Sequence, residues 1–241
     1  MSKKLFAVSD IHGHYTELMR ALADAGFDEN NEDHIFLSCG DLFDRGKENT
    51  EVYDFVRRLD RKILIKGNHE DMLCEILASG ETTERETGNG TYITLRQMLG
   101  ESSVDANGHI DTVLYAEKIK EINEFVASMY DYYEVGEYIF THGWLPIVFE
   151  GRYPSVDKNW RNASREAWDY AHTLEWHQLY DVKALLDGKI IVCGHRPSWL
   201  GYMFDEMREN DCCDIFFGNG MIAIDAGTVR YGRVNVFVLD I

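Results

Sequence analysis

Five short apolar runs punctuate the chain: Leu5–Ser9, Ile35–Cys39, Ile63–Lys66, Tyr138–Thr141 and Ile190–Cys193. Runs of this length read as strands covered on both faces. Between the first three, Thr16–Ala25 sets Leu18, Met19, Leu22 and Ala25 at helical spacing. Asn49–Leu59 places Val52, Tyr53, Val56 and Leu59 on one face, with Asn49 or Thr50 as N-cap. Strand, helix, strand, helix, strand predicts a largely parallel α/β layer.

Gly80–Ile110 breaks the pattern. It is rich in Gly, Thr and Glu and holds one amphipathic stretch, Thr91–Leu99. It reads as a surface excursion, either a solvated loop or one whose Gly88-Asn89-Gly90 turn overhangs a site. Asp111–Met129 is expected to be a helix, with Val113, Leu114, Ile119, Ile122, Phe125 and Val126 available to the core. Ser164–Leu186 is helical in character and carries Trp168, His172, Trp176 and His177. Two strand-like segments follow, Met221–Ile224 and Val234–Leu239, the second alternating as a strand covered on both faces would. Three prolines and no Pro/Gly/Ser-rich linker argue for a single domain over residues 1–241.

The polar residues closing each apolar run change the picture from scaffold to chemistry. They are Asp10-Ile11-His12-Gly13, Gly40-Asp41-Leu42-Phe43-Asp44-Arg45-Gly46, Gly67-Asn68-His69-Glu70, His142-Gly143 and Gly194-His195. Ligands collect where buried strands end. Asp10 and His12 can meet one divalent ion, Asp41 can bridge two, and Asn68, His142 and His195 can complete the second. Two cations about 3.5–4 Å apart would lower the pKa of a shared water and clamp a phosphoryl group, the bridging hydroxide acting as nucleophile. Arg45 suits phosphate oxygens, His69 can protonate a leaving oxygen, and Asp44 can orient His69. Asp10-Ile11-His12, His142-Gly143 and Gly194-His195 are each weak alone, the Gly40–Gly46 run is distinctive and Gly67–Glu70 nearly so; all five in order leave little room for coincidence. His34, His109 and His177 are expected to be solvated or structural, and His14 is a lesser candidate for touching substrate.

The formal net charge of -18 argues against nucleic-acid or anionic-membrane partners. It leaves an anionic substrate open, because cations in a cleft reverse the local sign. Of the five cysteines, Cys39 and Cys193 are expected to be buried and Cys212-Cys213 exposed, with no disulfide framework. Only four apolar residues follow Met1-Ser2-Lys3-Lys4, too few for a signal-peptide core. No run approaches the roughly 20 residues of a membrane span. A soluble, reducing, cytoplasmic setting is the expectation. The sequence specifies no oligomeric state.

The motif set resembles the PPP family of calcineurin-like metallophosphoesterases, which includes bacterial and phage serine/threonine protein phosphatases and symmetric diadenosine tetraphosphatases. The pattern G-D-x-H-G, G-D-x-x-D-R-G, G-N-H-E, H-G and G-H runs from residue 9 to 195, and Ile224-Asp225-Ala226-Gly227 looks like the family's Asp-Thr-Gly. The resemblance implies a sandwich of two mixed β-sheets flanked by helices, with a dinuclear metal site at the strand ends. It implies two divalent ions, manganese first, otherwise iron or zinc. Asp10, His12 and Asp41 would hold one, and Asp41, Asn68, His142 and His195 the other. Asp44 and His69 would form the acid pair, with Arg45 on phosphate.

Two departures stand out. Ser9 replaces the opening glycine. The second phosphate-binding arginine, expected between the last two histidine ligands, meets His172 instead, with Arg161, Arg165 or Arg196 as possible substitutes. The implied activity is hydrolysis of phosphomonoesters, with phosphoserine and phosphothreonine in proteins first and small aryl phosphates also accepted. Dinucleoside polyphosphate hydrolysis is the alternative, and a silent phosphate- or metal-binding module is a third reading.

Overall fold

The structure, a computed structural model, describes residues 3–179, 186, 188–204 and 213–241. Strands β1 (Lys4–Val8), β2 (His34–Ser38) and β3 (Lys62–Leu64) pair in parallel, joined by helices α1 (Tyr15–Asp24) and α2 (Asn49–Arg58). β11 (Phe237–Asp240) closes the other edge of this sheet, antiparallel to β1. A second sheet has the order β4 (Tyr132–Val135), β5 (Tyr138–Thr141), β8 (Ile190–Cys193), β10 (Met221–Ala223), β9 (Phe216–Gly218). β5, β8 and β10 are parallel, while β4 and β9 run antiparallel at the edges. β6 (Ile147–Glu150) and β7 (Tyr153–Val156) form a separate hairpin.

Alternation along each strand explains the continuous apolar runs. In β1, Leu5 and Ala7 face the second sheet, and Phe6 and Val8 face the helices. In β8, Val192 faces the first sheet and Ile191 the opposite layer. Leu37, Cys39 and Ile65 therefore meet Phe140, Ile222 and Ile224 in a core between two sheets. Burying each large aliphatic side chain contributes about 1.5–3 kcal/mol, so both faces of each central strand are used. The sandwich of mixed sheets flanked by helices is the expected architecture.

Several elements differ from the sequence reading. A helix not foreseen, α3 (Asn68–Ser79), starts at the Gly67-Asn68-His69-Glu70 motif and buries Met72, Leu73, Ile76 and Leu77. The 80–110 excursion forms helices α4 (Glu84–Asn89) and α5 (Thr91–Leu99), and Leu95, Met98 and Leu99 join the core. It is a packed layer, not a solvated loop. α6 (Ala116–Ala127) starts later than expected, because Asp111 Oδ1 accepts from the amides of Val113 and Leu114 and forms a turn. That turn leaves Val113 85% and Leu114 71% exposed, outside the core.

α7 (Arg165–His172) is capped by Ser164, whose hydroxyl accepts from the Ala167 amide at 3.2 Å. It ends well before Leu186, and residues 180–185 of the expected helix lie outside the described residues. β11 starts at Phe237, three residues later than expected, at the edge of its sheet, and Val238 is exposed. α8 (Trp199–Phe204) follows β8, and α9 (Thr228–Tyr231) follows β10. Cys39 and Cys193 are buried; Cys213, expected at the surface, is also buried, and Cys212 lies outside the described residues.

Candidate metal centre

Six non-glycine residues among those described adopt left-handed backbone: Asp10, His12, Asp41, Asp44, Arg45 and His195. All six belong to the set read from the sequence. Such conformations are uncommon away from glycine and persist where surrounding bonds over-determine them. Here the loops after β1 and β2 are laced together: the amides of Asp10, His12 and Gly13 donate to the carbonyls of Gly40, Asp41 and Leu42 at 3.1, 3.0 and 2.8 Å. Gly194 is forced by proximity, since a Cβ there would collide with Ser9 Oγ and Asp10 Oδ2.

Buried donor atoms gather around Asp41. Its Oδ2 lies 3.7 Å from His12 Nε2, and its Oδ1 lies 3.3 Å from His142 Nε2. One carboxylate thus faces two histidine groups. His12 Nδ1 donates to the Phe43 carbonyl at 2.9 Å and His142 Nδ1 to the Cys39 carbonyl at 2.7 Å, which turns both Nε2 atoms inward. Asn68 Oδ1 is 3.1 Å from His142 Nε2. The His195 amide donates to Asp10 Oδ2 at 2.9 Å, and its ring lies edge-on to that of His142. Asp10 and Asp41 are 3% and 2% exposed, far below what unpaired carboxylates tolerate.

The charge states follow from this crowding. Burial pushes Asp41 up, but His142 and His69 outweigh it and hold the carboxyl well below its usual range. Burial pushes His142 down, yet Asp41 and Asp10 lift it to about 10. Burial and the neighbouring His142 drive His195 down to about 3. Burial and Arg45 drive His12 well below its usual value.

Two donor groups share Asp41: His12, Asp41 and His69, and Asp41, His142 and His195, the donor atoms of each lying within 4.8 Å of one another. Carboxylate, amide and imidazole donors on a dry floor fit divalent ions. Asp10 stands at the edge of the first group, its Oδ1 3.9 Å from His12 Nε2. His69, expected as an acid, lies within that group.

His69 Nδ1 is 2.7 Å from Asp44 Oδ2. Asp44 is fully buried and also accepts from Thr91 Oγ1 and Thr94 Oγ1, each at 2.7 Å. Arg45 donates from Nη1 to His12 Nε2 at 2.8 Å and from Nη2 to His69 Nε2 at 3.1 Å. A cleft of about 220 Å³ is lined by His12, Asp41, Arg45, His69 and His195 together with Arg196, Asp225 and Arg230.

His172 is elsewhere, which corrects its expected contact with substrate. Its side chain is fully buried, with Nδ1 3.1 Å from Asp71 Oδ2, so it has no surface to offer. Arg161 is engaged by Glu134, and Arg165 by Asp71, Asp131 and Asp169. Arg196 does reach the cleft, paired with Glu175. His14 folds back onto the His12 carbonyl at 2.7 Å.

Other residues of the site went unassigned in the sequence. Glu70, fully buried, accepts from the amides of Asp41, Leu42 and Gly67 at 2.8–2.9 Å and ties the second and third motifs together. Burial and Asp41 lift its carboxyl to about 7. Its place in the Gly67-Asn68-His69-Glu70 motif was the signal. Thr91 and Thr94 carried only their spacing, and Arg230 carried none.

Comparisons with known proteins agree with this architecture. Serine/threonine-protein phosphatase 1 of Salmonella typhimurium is 30% identical over 92 residues, 38% of this chain and 41% of that protein. The symmetrical bis(5'-nucleosyl)-tetraphosphatase of Buchnera aphidicola is 36% identical over 83 residues, 34% of this chain and 29% of that protein. The matched stretches thus span less than half of either relative. A cold-active protein-tyrosine phosphatase of a psychrophilic Shewanella shares the fold, with a TM-score of 0.58 at 18% identity over 100% of this chain and 76% of that one. The sequence profile of the calcineurin-like phosphoesterases matches residues 3–224, and the chain belongs to that family.

Proposed function

We propose that this chain is a metal-dependent hydrolase of phosphomonoesters, with phosphoserine and phosphothreonine of proteins as its first substrate class. The observation that carries the reading is the Asp44–His69 pair opening onto the same cleft as Arg45 and the donors around Asp41. Asp10, His12, Asp41, Asn68, His142 and His195 would hold two divalent ions, manganese first, which when bound supply an activated water and a clamp on phosphoryl oxygens.

The protein's own groups do the rest. Arg45 presents a planar fork to phosphate oxygens, its two Nη atoms already aimed at the cleft floor. When substrate phosphate takes up the Arg45 bonds, Nε2 is freed, and a protonated His69 delivers its proton from that atom to the leaving oxygen. Asp44 accepts from Nδ1, fixing the tautomer and steadying the imidazolium. Burial opposes a charged His69, but Asp41 and Asp44 outweigh it and raise its pKa, which suits a proton donor. A cytoplasmic setting belongs to this reading, supported by the buried free thiols Cys39 and Cys193. Among the described residues no helix is long and apolar enough to cross a membrane. The net charge of -18 disfavours nucleic acid as a partner.

Hydrolysis of a dinucleoside polyphosphate is the second reading. It is favoured by the tetraphosphatase relative and by two further arginines, Arg196 and Arg230, lining the cleft. Turnover of a phosphopeptide and of diadenosine tetraphosphate, measured side by side on manganese-loaded protein, tests the order. A tenfold higher kcat/KM for the nucleotide, about 1.4 kcal/mol of transition-state binding, reverses it.

A further inference from the structure

The cleft beside the candidate metal centre adjoins a second groove. Arg196, Pro197, Gly227 and Arg230 border both that cleft and the groove, which is about 420 Å³ and whose wall includes Trp199 and Tyr231. Three arginines therefore face one channel, and they differ in what neutralises them. Arg45 donates to His12 and His69, and Arg196 is paired with Glu175. Arg230 has no acidic partner among the described residues. Its guanidinium carbon lies 5.1 Å from the centre of the Tyr231 ring, a contact that steadies a cation without cancelling its charge.

We infer that Arg230 binds a second phosphate of the substrate, one linked to the phosphate being cleaved, and that the groove beyond it receives the rest of the leaving group. The inference rests on the second reading of the cleft, as a phosphoesterase acting on polyphosphates, and deepens it. Arg45 and the donors around Asp41 serve the reacting phosphate at one end. Arg230 stands at the junction with the neighbouring groove, where the next group of a longer substrate passes. A guanidinium matches phosphate oxygens two at a time, so it rewards a doubly charged group over a neutral one. Trp199 and Tyr231 line the groove with aromatic surface suited to a planar ring. A simple aryl phosphate places nothing at Arg230; a nucleoside polyphosphate does. The residue is a specificity determinant, not part of bond cleavage.

The test compares wild type, Arg230→Ala and Arg230→Lys as full chains in saturating manganese. Binding of AMP and ADP, which differ by one phosphate, is measured by calorimetry. The expected result is that ADP binds wild type at least fivefold more tightly than AMP, that Arg230→Ala abolishes this preference while AMP binding changes less than twofold, and that Arg230→Lys is intermediate. For diadenosine tetraphosphate, Arg230→Ala should raise KM at least fivefold, a larger rise than for p-nitrophenyl phosphate, which has no second phosphate. Equal losses for AMP and ADP, or no loss for either, would overturn the inference. Wild type that keeps the ADP preference yet cleaves neither substrate would support the phosphate position and overturn the hydrolase reading.

Discussion

His69 Nδ1 lies 2.7 Å from Asp44 Oδ2, and both side chains are buried, at 2% and 0% exposure. A carboxylate so placed fixes which imidazole nitrogen carries the proton and leaves Nε2 facing the cleft. His69→Asn should lower kcat by about 10²–10⁴. Metal content decides between two roles, because His69 also stands among the donors near Asp41. Unchanged manganese by elemental analysis with lost turnover marks an acid. A parallel loss of manganese marks a ligand.

The acid pair depends on a helix from the 80–110 excursion. Thr91 and Thr94 each donate to Asp44 at 2.7 Å, one turn apart on α5. Thr94→Val keeps the shape and removes a charge-assisted bond to a fully buried carboxylate, a loss of about 1.5–3 kcal/mol. The expected outcome is a lower urea midpoint and a fall in kcat of about tenfold, from a less firmly held His69. A midpoint shift with kcat unchanged would show that α5 supports the fold alone.

What was legible in the sequence follows from where each signal resides. Metal-donor residue types after apolar runs are local patterns, so Asp10, His12, Asp41, Asn68, His142 and His195 were visible, and the fold brings them together. The excursion was opaque because Gly88, Gly90 and Gly100 sit among its helices, and glycine there reads as loop. Its helices persist through packing of Leu95 and Leu99 into the core, a tertiary effect. Val113 and Leu114 misled in the opposite way, apolar in type but held in a turn by Asp111. His172 misled through position: it stands near the place of an expected arginine, yet α7 turns it toward Asp71.

Glu70 is the residue through which α3 holds both the second and third motifs. Its two oxygens accept from Asp41, Leu42 and Gly67 amides, and no neutral amide side chain can accept on both atoms. Glu70→Gln should weaken manganese affinity by about 10–100-fold, because Asp41 loses its backbone anchor. Titration of metal-stripped protein measures this. Unchanged affinity would separate the backbone anchor from the donor geometry.

His172 lies in a network with Asp71, which Lys66 and Arg165 also engage at 2.6 and 2.7 Å. Asp71 is on α3, three residues beyond Asn68, so the network braces the helix that starts at the site. His172→Ala should lower stability by about 1–3 kcal/mol and leave KM for p-nitrophenyl phosphate within twofold. A large rise in KM at unchanged stability would restore the substrate contact that its burial argues against.

Acid sensitivity should trace in part to Glu134 on β4. Arg161 donates to it from Nε and Nη2 at 2.8 and 2.7 Å, and Lys189 Nζ lies 2.8 Å away. The Arg161 bonds, opposed by burial and aided by Lys189, hold its carboxyl at about 2, against an ordinary value of 4.5. The folded state therefore binds this proton less readily than the unfolded chain. The stabilisation is complete above pH about 4.5 and disappears as pH falls through about 2. Because the group lies near the surface, solvent screening limits it to about 1 kcal/mol or less. Urea denaturation of wild type and Glu134→Gln across that window provides the measure. The wild-type advantage should be present at neutral pH and shrink toward zero with acid; an advantage that stays constant would mean that the bonds to Arg161 and Lys189 do not depend on the charge of Glu134.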